Sequence, residues 1–444
     1  MKNGAWRASA PLLSMMAGLP AAAQVAQPSV EDVGQASIDI AGAVAMTLAR
    51  HPEIARSNAA LARGQADLGA AKSAWTPQLT YQANLGPNMF SRSSGSGLND
   101  NMAGPSLYLQ QRIWDFGRAK GEIGYARSTE EQRRYELESV ADQLAEQAAL
   151  AFLQVKRFEL LGREAARQVE ALEHLRELIG LRVDAGISDK SDLMLANVRV
   201  DSARGDAILA ESSLITARAA LANLTGAMPT VYQDPNPQIA RFGAAEEEPD
   251  FASLPAIVAA DKAEQAAAAR VGQAKAERYP QLGLQLGYTR NNYTYNERNN
   301  AFSALVTVTG DLYKRGTRYQ VRAAEEERRA ARSARDSVLL DARGRALTAR
   351  QEIRGGALRI EAFSHQEKQA EEASRIFFEE YKLGKRTLTE LLNTQLEIYR
   401  AASARIVAEY DVLAARIRFE NVRGTLRPSL GLPARLTEGE EEHG

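Results

Sequence analysis

Two periodicities divide the chain. In Leu79-Thr80-Tyr81-Gln82-Ala83-Asn84-Leu85 apolar and polar residues alternate, which predicts a strand with two unlike faces. Leu282, Leu284, Leu286 and Tyr288 repeat the pattern against Gln281, Gln285 and Thr289. Partner strands are predicted over 106–114 and over 302–312, the second with Phe302, Ala304, Val306 and Val308 on one face. Elsewhere the period is helical. Leu137, Val140, Leu144, Ala148, Ala151, Val155 and Phe158 stand three or four residues apart, close to a coiled-coil seam. No proline interrupts the stretch from Gly117 to Gly186, or that from Gly316 to Gly384, and at 1.5 Å per residue each makes a rod of about 100 Å. Gly186 and Gly384 sit where a helix end wants positive φ, and a further helix then runs to Gly226 and to Gly424.

The whole pattern occurs twice. Residues 48–79 contain HPEI, AAK and TPQL, and residues 251–282 contain LPAI, QAK and YPQL in the same order. The first repeat is expected over 41–226: a helix over 41–74, a β-hairpin over 77–116, a long helix over 118–185 and a helix over 187–226. The second is expected over 253–426: a helix over 253–278, a hairpin over 280–313, a long helix over 317–383 and a helix over 385–424. Residues 227–252, with Pro229, Pro235, Pro237, Pro249 and Glu246-Glu247-Glu248, read as a linker, and 427–444 as an acidic tail. The hairpin loops over 91–101 and 289–300 are polar and expected to face water.

In front stand Lys2 and Arg7, an apolar run from Ala8 to Gly18, and Leu19-Pro20-Ala21-Ala22-Ala23. That is the three-part pattern of a signal peptide, expected to be removed after Ala23, which leaves 24–40 as an N-terminal segment. The rest of the chain contains no apolar run long enough for a membrane-spanning helix, so an exported product would be soluble, peripheral or a β-barrel. Each repeat supplies two strands, and four strands cannot close a barrel in lipid, whose smallest common size is eight. Membrane insertion therefore requires a dimer, trimer or tetramer with cyclic symmetry. The alternative is a soluble periplasmic coiled-coil scaffold or adaptor carrying two small hairpins.

Composition narrows the chemistry. With 55 basic and 56 acidic residues among 444, the net charge of −1 argues against a general hold on nucleic acid. The absence of cysteine excludes disulfides, thiolate zinc sites, a cysteine nucleophile and an acylated N-terminal Cys. His51, His174, His365 and His443 lack metal-ligand spacing, and no Walker loop, paired G-x-G-x-x-G or G-x-S-x-G turn occurs. Neither an enzyme nor a cofactor or metal site is indicated.

The doubled P-Q-L strand starts, the Asp115-Phe116-Gly117 turn and the segment from Tyr381 to Asn393 (YKLGKRTLTELLN) resemble the TolC family of outer-membrane exit ducts over about residues 40–426. The resemblance implies a mainly α fold with a small β part. It implies a homotrimer with a 12-stranded β-barrel in the outer membrane of a Gram-negative bacterium, continued through the periplasm by a helical, coiled-coil barrel. It implies partners: a periplasmic adaptor (membrane fusion protein) and an inner-membrane pump or ABC transporter, in tripartite efflux or type I secretion. It also implies a gate at the periplasmic end, near the helix turns at Gly186 and Gly384. Tyr381 and Arg386 match the constricting tyrosine and arginine, and Ser191 and Asp192 match the hydroxyl and carboxylate that the arginine reaches on a neighbouring helix. Glu390 stands at the first acidic ring position, and Asn393 stands at the second, where an aspartate is typical. With this orientation, labels at Gly97 and Asn296 are expected to react from outside intact cells; protection of both would reverse it.

Overall fold

The computed structural model describes residues 37–84, 104–240, 242, 249–292 and 298–436. The expected signal peptide, most of the 24–40 segment, the 91–101 loop with Gly97, the second hairpin tip with Asn296, the acids 246–248 and the end of the tail lie outside them.

A short strand β1 (Ser37–Ile38) leads into α1 (Ile40–Arg50), whose start is capped by Asp39 accepting from the Gly42 N–H at 2.8 Å. The helix expected over 41–74 is in fact two, α1 and α2 (Pro52–Lys72). Pro52 has no N–H to donate and takes the first helical position, while His51 before it is extended and accepts from the Glu53 N–H at 3.3 Å. A single 3₁₀ turn over Ser73–Trp75 then precedes β2 (Gln78–Asn84) and β3 (Gly104–Trp114). The helices α3 (Arg118–Asp184) and α4 (Lys190–Thr225) complete the first repeat. β4 (Val231–Tyr232) pairs in parallel with β1, and the one-turn α5 (Asn236–Ile239) follows. The second repeat consists of α6 (Pro255–Ala276), β5 (Gln281–Asn292), β6 (Arg298–Thr309), α7 (Gly316–Lys382) and α8 (Leu388–Arg423); a short α9 (Leu426–Ser429) ends the helical part.

The four long strands form one antiparallel sheet in the order β2-β3-β5-β6. Its register puts Leu79 opposite Leu109, Leu109 opposite Leu286, and Leu286 opposite Ala304, so one face is apolar across all four strands. Gln78, Gln110, Gln285, Tyr108 and Ser303 share the other face. The second hairpin is longer than its sequence suggests. Pairing continues from Thr289 opposite Ala301 to Asn292 opposite Arg298, so most of the expected 289–300 loop is strand, and β6 stops at Thr309. Polar side chains do not prevent a ladder held by backbone groups.

The helices form a layer. α2 and α4 lie in tandem along α3, and α6 and α8 lie in tandem along α7, while α3 also packs against α6 and α8. Small residues set the spacing: a Cβ on Gly121 would lie 2.9 Å from the Gln273 backbone, and one on Gly124 would lie 3.3 Å from Ala269. The abundant alanine therefore sits in the seams, as with the fully buried Ala141, Ala145, Ala148 and Ala149 of α3. The largest core lies at mid-height, where Phe152, Leu153 and Val155 meet Val44, Leu221, Ile406 and Ile417.

Beside this core a buried ionic clasp ties the C-terminal segment to α3. The Arg427 guanidinium, 2% exposed, donates from Nε to Asp142 and from Nη2 to Glu138, both at 2.7 Å. Glu138 also accepts from the Leu436 N–H at 2.8 Å. Burial pushes the Asp142 carboxyl up to about 6 from 3.8, against the pull of Arg427. A folded-state value above the unfolded one means that ionised Asp142 opposes folding. That penalty is complete above about pH 6 and gone below about pH 4. The thermal midpoint of the folded protein should therefore rise by a few degrees between about pH 7.5 and pH 5, and less so in Asp142→Asn. Equal rises in both proteins would show that Asp142 is not the group responsible.

Candidate functional site

Two regions concentrate unusual chemistry, one at each end of the helices. At the end remote from the sheet, α3 and α4 are joined by 185–189, and α7 and α8 by 383–387. Gly186 (φ 75°) and Gly384 (φ 72°) reverse the chain in the left-handed region, which glycine enters without a Cβ penalty. Each turn closes with a pair of backbone bonds. The Ile187 N–H reaches the Arg182 carbonyl at 2.8 Å, and the Lys385 N–H reaches that of Glu380 at 2.9 Å.

The second turn carries a charged network. Arg386 donates from Nε to Glu380 and from Nη1 to Glu390, both at 2.8 Å, and its guanidinium lies 4.3 Å from the Phe377 ring centre. Glu390 also accepts from the Thr387 N–H at 3.0 Å and from its hydroxyl at 2.9 Å, while the Thr387 hydroxyl accepts from the Glu390 N–H at 3.4 Å. This is a reciprocal capping box that starts α8. Donation by the Thr387 backbone, then by its hydroxyl, then by Arg386 holds the Glu390 carboxyl down at about 2. Hydrogen bonds to Glu380 and then Glu390 raise Arg386 above its ordinary value. The Arg386 guanidinium and the Glu390 carboxylate therefore stay charged together.

The remaining expected residues lie close by in other roles. Tyr381 is buried with Leu172, Leu175 and Ile179 of α3, with the Arg182 guanidinium 5.0 Å from its ring centre. Asn393 accepts from Arg199 of α4 at 3.2 Å, a link between the two repeats. Ser191 is exposed and Asp192 half-buried in the first turn of α4. Among the described residues, no hydrogen bond or ion pair joins either to Arg386, whose Nε and Nη1 are engaged within its own hairpin. Four contributors escaped the sequence reading: Glu380, Phe377, Arg182 and Arg199. Their roles depend on a turn geometry or on contacts between helices that no spacing along one helix reveals. Between α7 and α8 a cleft of about 610 Å³ is lined by His365, Phe377, Glu390, Asn393 and Glu397. Among the described residues, no cluster of His, Asp or Glu could hold a metal ion.

At the other end, the apolar face of the sheet has no cover among the described residues. Leu79, Phe302 and Val308 are 71%, 74% and 70% exposed. Around the junction with the helices stand exposed aromatics: Trp114 packs edge-on to Phe116 at 6.1 Å between ring centres, and Phe116 stacks on Tyr279 at 5.1 Å. Such a belt bounding an apolar band is how barrels meet a membrane interface. No helix among the described residues is long and apolar enough to cross a membrane. The model of a family described as outer membrane efflux protein matches residues 43–227 and again 252–425, one match for each repeat. The chain belongs to the outer membrane efflux protein family.

Among curated proteins, the outer membrane efflux protein BepC of Brucella suis is 23% identical over 427 residues, covering 92% of this chain and 91% of BepC. Among solved structures, CusC superposes with a TM-score of 0.79 at 14% identity, over 90% of this chain and 95% of CusC. MtrE of Neisseria gonorrhoeae, solved in its open state, superposes with a TM-score of 0.72 at 17% identity, over 92% and 94%. The fold is that of TolC-like outer-membrane channels, mainly helical with a small sheet part. The outer membrane efflux family is one of channels rather than enzymes, and its members work as trimers with an adaptor and an inner-membrane pump. Nothing in this kinship supports the soluble scaffold.

The capping box makes a local prediction. Removing the Thr387 hydroxyl in Thr387→Ala should speed amide hydrogen exchange in the first turn of α8 several-fold and leave the start of α4 unchanged. Unchanged exchange at the Glu390 amide would mean that the box does not order this turn.

Proposed function

We propose that three copies of this chain form the outer-membrane exit duct of a tripartite efflux pump or type I secretion system, passive in itself and gated at its periplasmic end. The observation that carries the reading is the single four-stranded sheet, apolar on one face and polar on the other, with β2 and β6 left as open edges. Unpaired strand edges are not tolerated in hydrocarbon, and three copies would pair each β6 with a neighbour's β2 in a closed 12-stranded barrel. Uncovered apolar side chains along the helices support the same assembly: Leu340, Leu347 and Leu358 on α7, and Met194, Val198, Ile208 and Ile215 on α4. The helices would line a tunnel through the periplasm and meet an adaptor and an inner-membrane pump or ABC transporter at the turns near Gly186 and Gly384.

The gate we assign to this end uses the Arg386 network. Within one chain it holds α7 and α8 together at their turn; across the subunit boundary, Ser191 and Asp192 of α4 offer a hydroxyl and a carboxylate to the same guanidinium, with Tyr381 as the packing pivot. Each exposed pair contributes only about 0–1 kcal/mol. Threefold repetition would make the set a cooperative latch that a docked partner could release. Glu390 would supply one carboxylate ring, whereas neutral Asn393, tied to Arg199, would supply none, so block by polyvalent cations should be weak.

Single-channel recording in planar bilayers tests both parts. The wild type should give small stable steps, and Arg386→Ala should raise resting conductance at least several-fold. Equal conductance would remove the latch, and absence of insertion would remove the duct.

A further inference from the structure

The two junctions between sheet and helices are built differently. The first is closed from within: Asp115, 2% exposed, accepts from the Gly117 and Ala119 N–H groups at 3.1 and 2.7 Å and from Arg112 at 3.1 Å. The second, between β6 and α7, is open. Leu312 and Tyr313 there are 107% and 84% exposed, the first as bare as in an isolated peptide. They border a hollow of about 540 Å³ whose rim carries Arg278, Lys314, Arg315 and Arg318 against two acids, Glu277 and Asp311, a net basic excess. Lys314 lies 3.9 Å from Asp311. Among the described residues, the guanidiniums of Arg278, Arg315 and Arg318 make no hydrogen bond or ion pair. Some arginines of the nearby helices are paired, as Arg328 is to Glu264 and Arg335 to Asp261. Three neighbouring unpaired arginines beside two bare apolar side chains therefore call for a partner that is both anionic and greasy.

We infer that this junction is a docking surface for anionic phospholipid of the leaflet facing the periplasm, with Arg278, Arg315 and Arg318 holding the phosphate and Leu312 and Tyr313 entering the acyl boundary. The surface continues the aromatic belt of Trp114, Phe116 and Tyr279, so it lies at headgroup height. A guanidinium fork matches phosphate oxygens, and basic side chains at that depth each strengthen binding to anionic lipid. Three copies would set three such sites around the barrel. The inference rests on the membrane-embedded duct proposed above.

The full mature protein should be reconstituted into phosphatidylcholine vesicles, and spin-labelled phosphatidylglycerol compared with spin-labelled phosphatidylcholine as boundary lipid. The wild type should prefer phosphatidylglycerol by about fivefold or more. The combined Arg278→Gln, Arg315→Gln and Arg318→Gln variant should lose the preference, and the corresponding triple Lys variant should keep most of it. A preference unchanged in the Gln variant overturns the proposal. So does a wild type without preference whose Gln variant no longer forms trimers, which would assign the junction to contacts between copies. Protein that enters neither kind of vesicle defeats the duct reading itself, a different failure from insertion without lipid preference.

Discussion

A β-strand edge carries backbone N–H and C=O groups that only water or another strand can satisfy, and in hydrocarbon each one left over costs several kcal/mol. β2 and β6 are such edges, and the apolar face between them is equally unsuited to water. Neither problem is solved among the described residues of one chain. The sheet is too narrow to curl on itself, and the helices leave its apolar face bare. Association of copies and contact with lipid are thus two answers to one demand, and membership of the outer membrane efflux protein family agrees with both.

The helical layer answers a different demand, that of length. A rod of 67 residues such as α3 or α7 cannot be held by a single compact core, so packing is distributed along it. Small residues close the seams near the sheet, the bulky cluster around Phe152 and Ile417 fixes mid-height, and Tyr381 with Leu391 and Leu392 fixes the far end. The Arg427 clasp works at mid-height, where Ile38 and Ile40 share a core with Leu426 and Leu430 beside α3. A buried ion pair is a poor source of stability. Its service here is geometric, since a guanidinium with two carboxylates accepts only one placement of the C-terminal segment.

Signals that act locally were legible in the sequence, and those that depend on a third element were not. The alternation from Leu79 onward, and the glycines Gly186, Gly226, Gly384 and Gly424, all of which take positive φ, act through their immediate neighbours. Pro52 was visible too, but its force was underestimated: with an extended residue before it, one expected helix became two. The second hairpin ran longer than its polarity suggested because backbone pairing is indifferent to Asn and Arg side chains. At the far end, Arg386 and Glu390 are four residues apart and could be paired by eye. Glu380 joins them only across the turn at Gly384, and Arg199 meets Asn393 only because α4 and α8 converge. Within one chain, neither Ser191 nor Asp192 is joined to Arg386 by a hydrogen bond or ion pair among the described residues.

The two turns at the far end also differ in how firmly their helices begin. α8 starts from the Thr387–Glu390 box, whereas α4 starts at Asp189 without a side-chain cap. Around a trimeric rim these starts would alternate, giving six tips of two kinds, three stiff and three free to fray. A ring-shaped partner with sixfold symmetry would thus find only threefold chemical symmetry. It would have to tolerate a mismatch at every second position or break its own symmetry to fit.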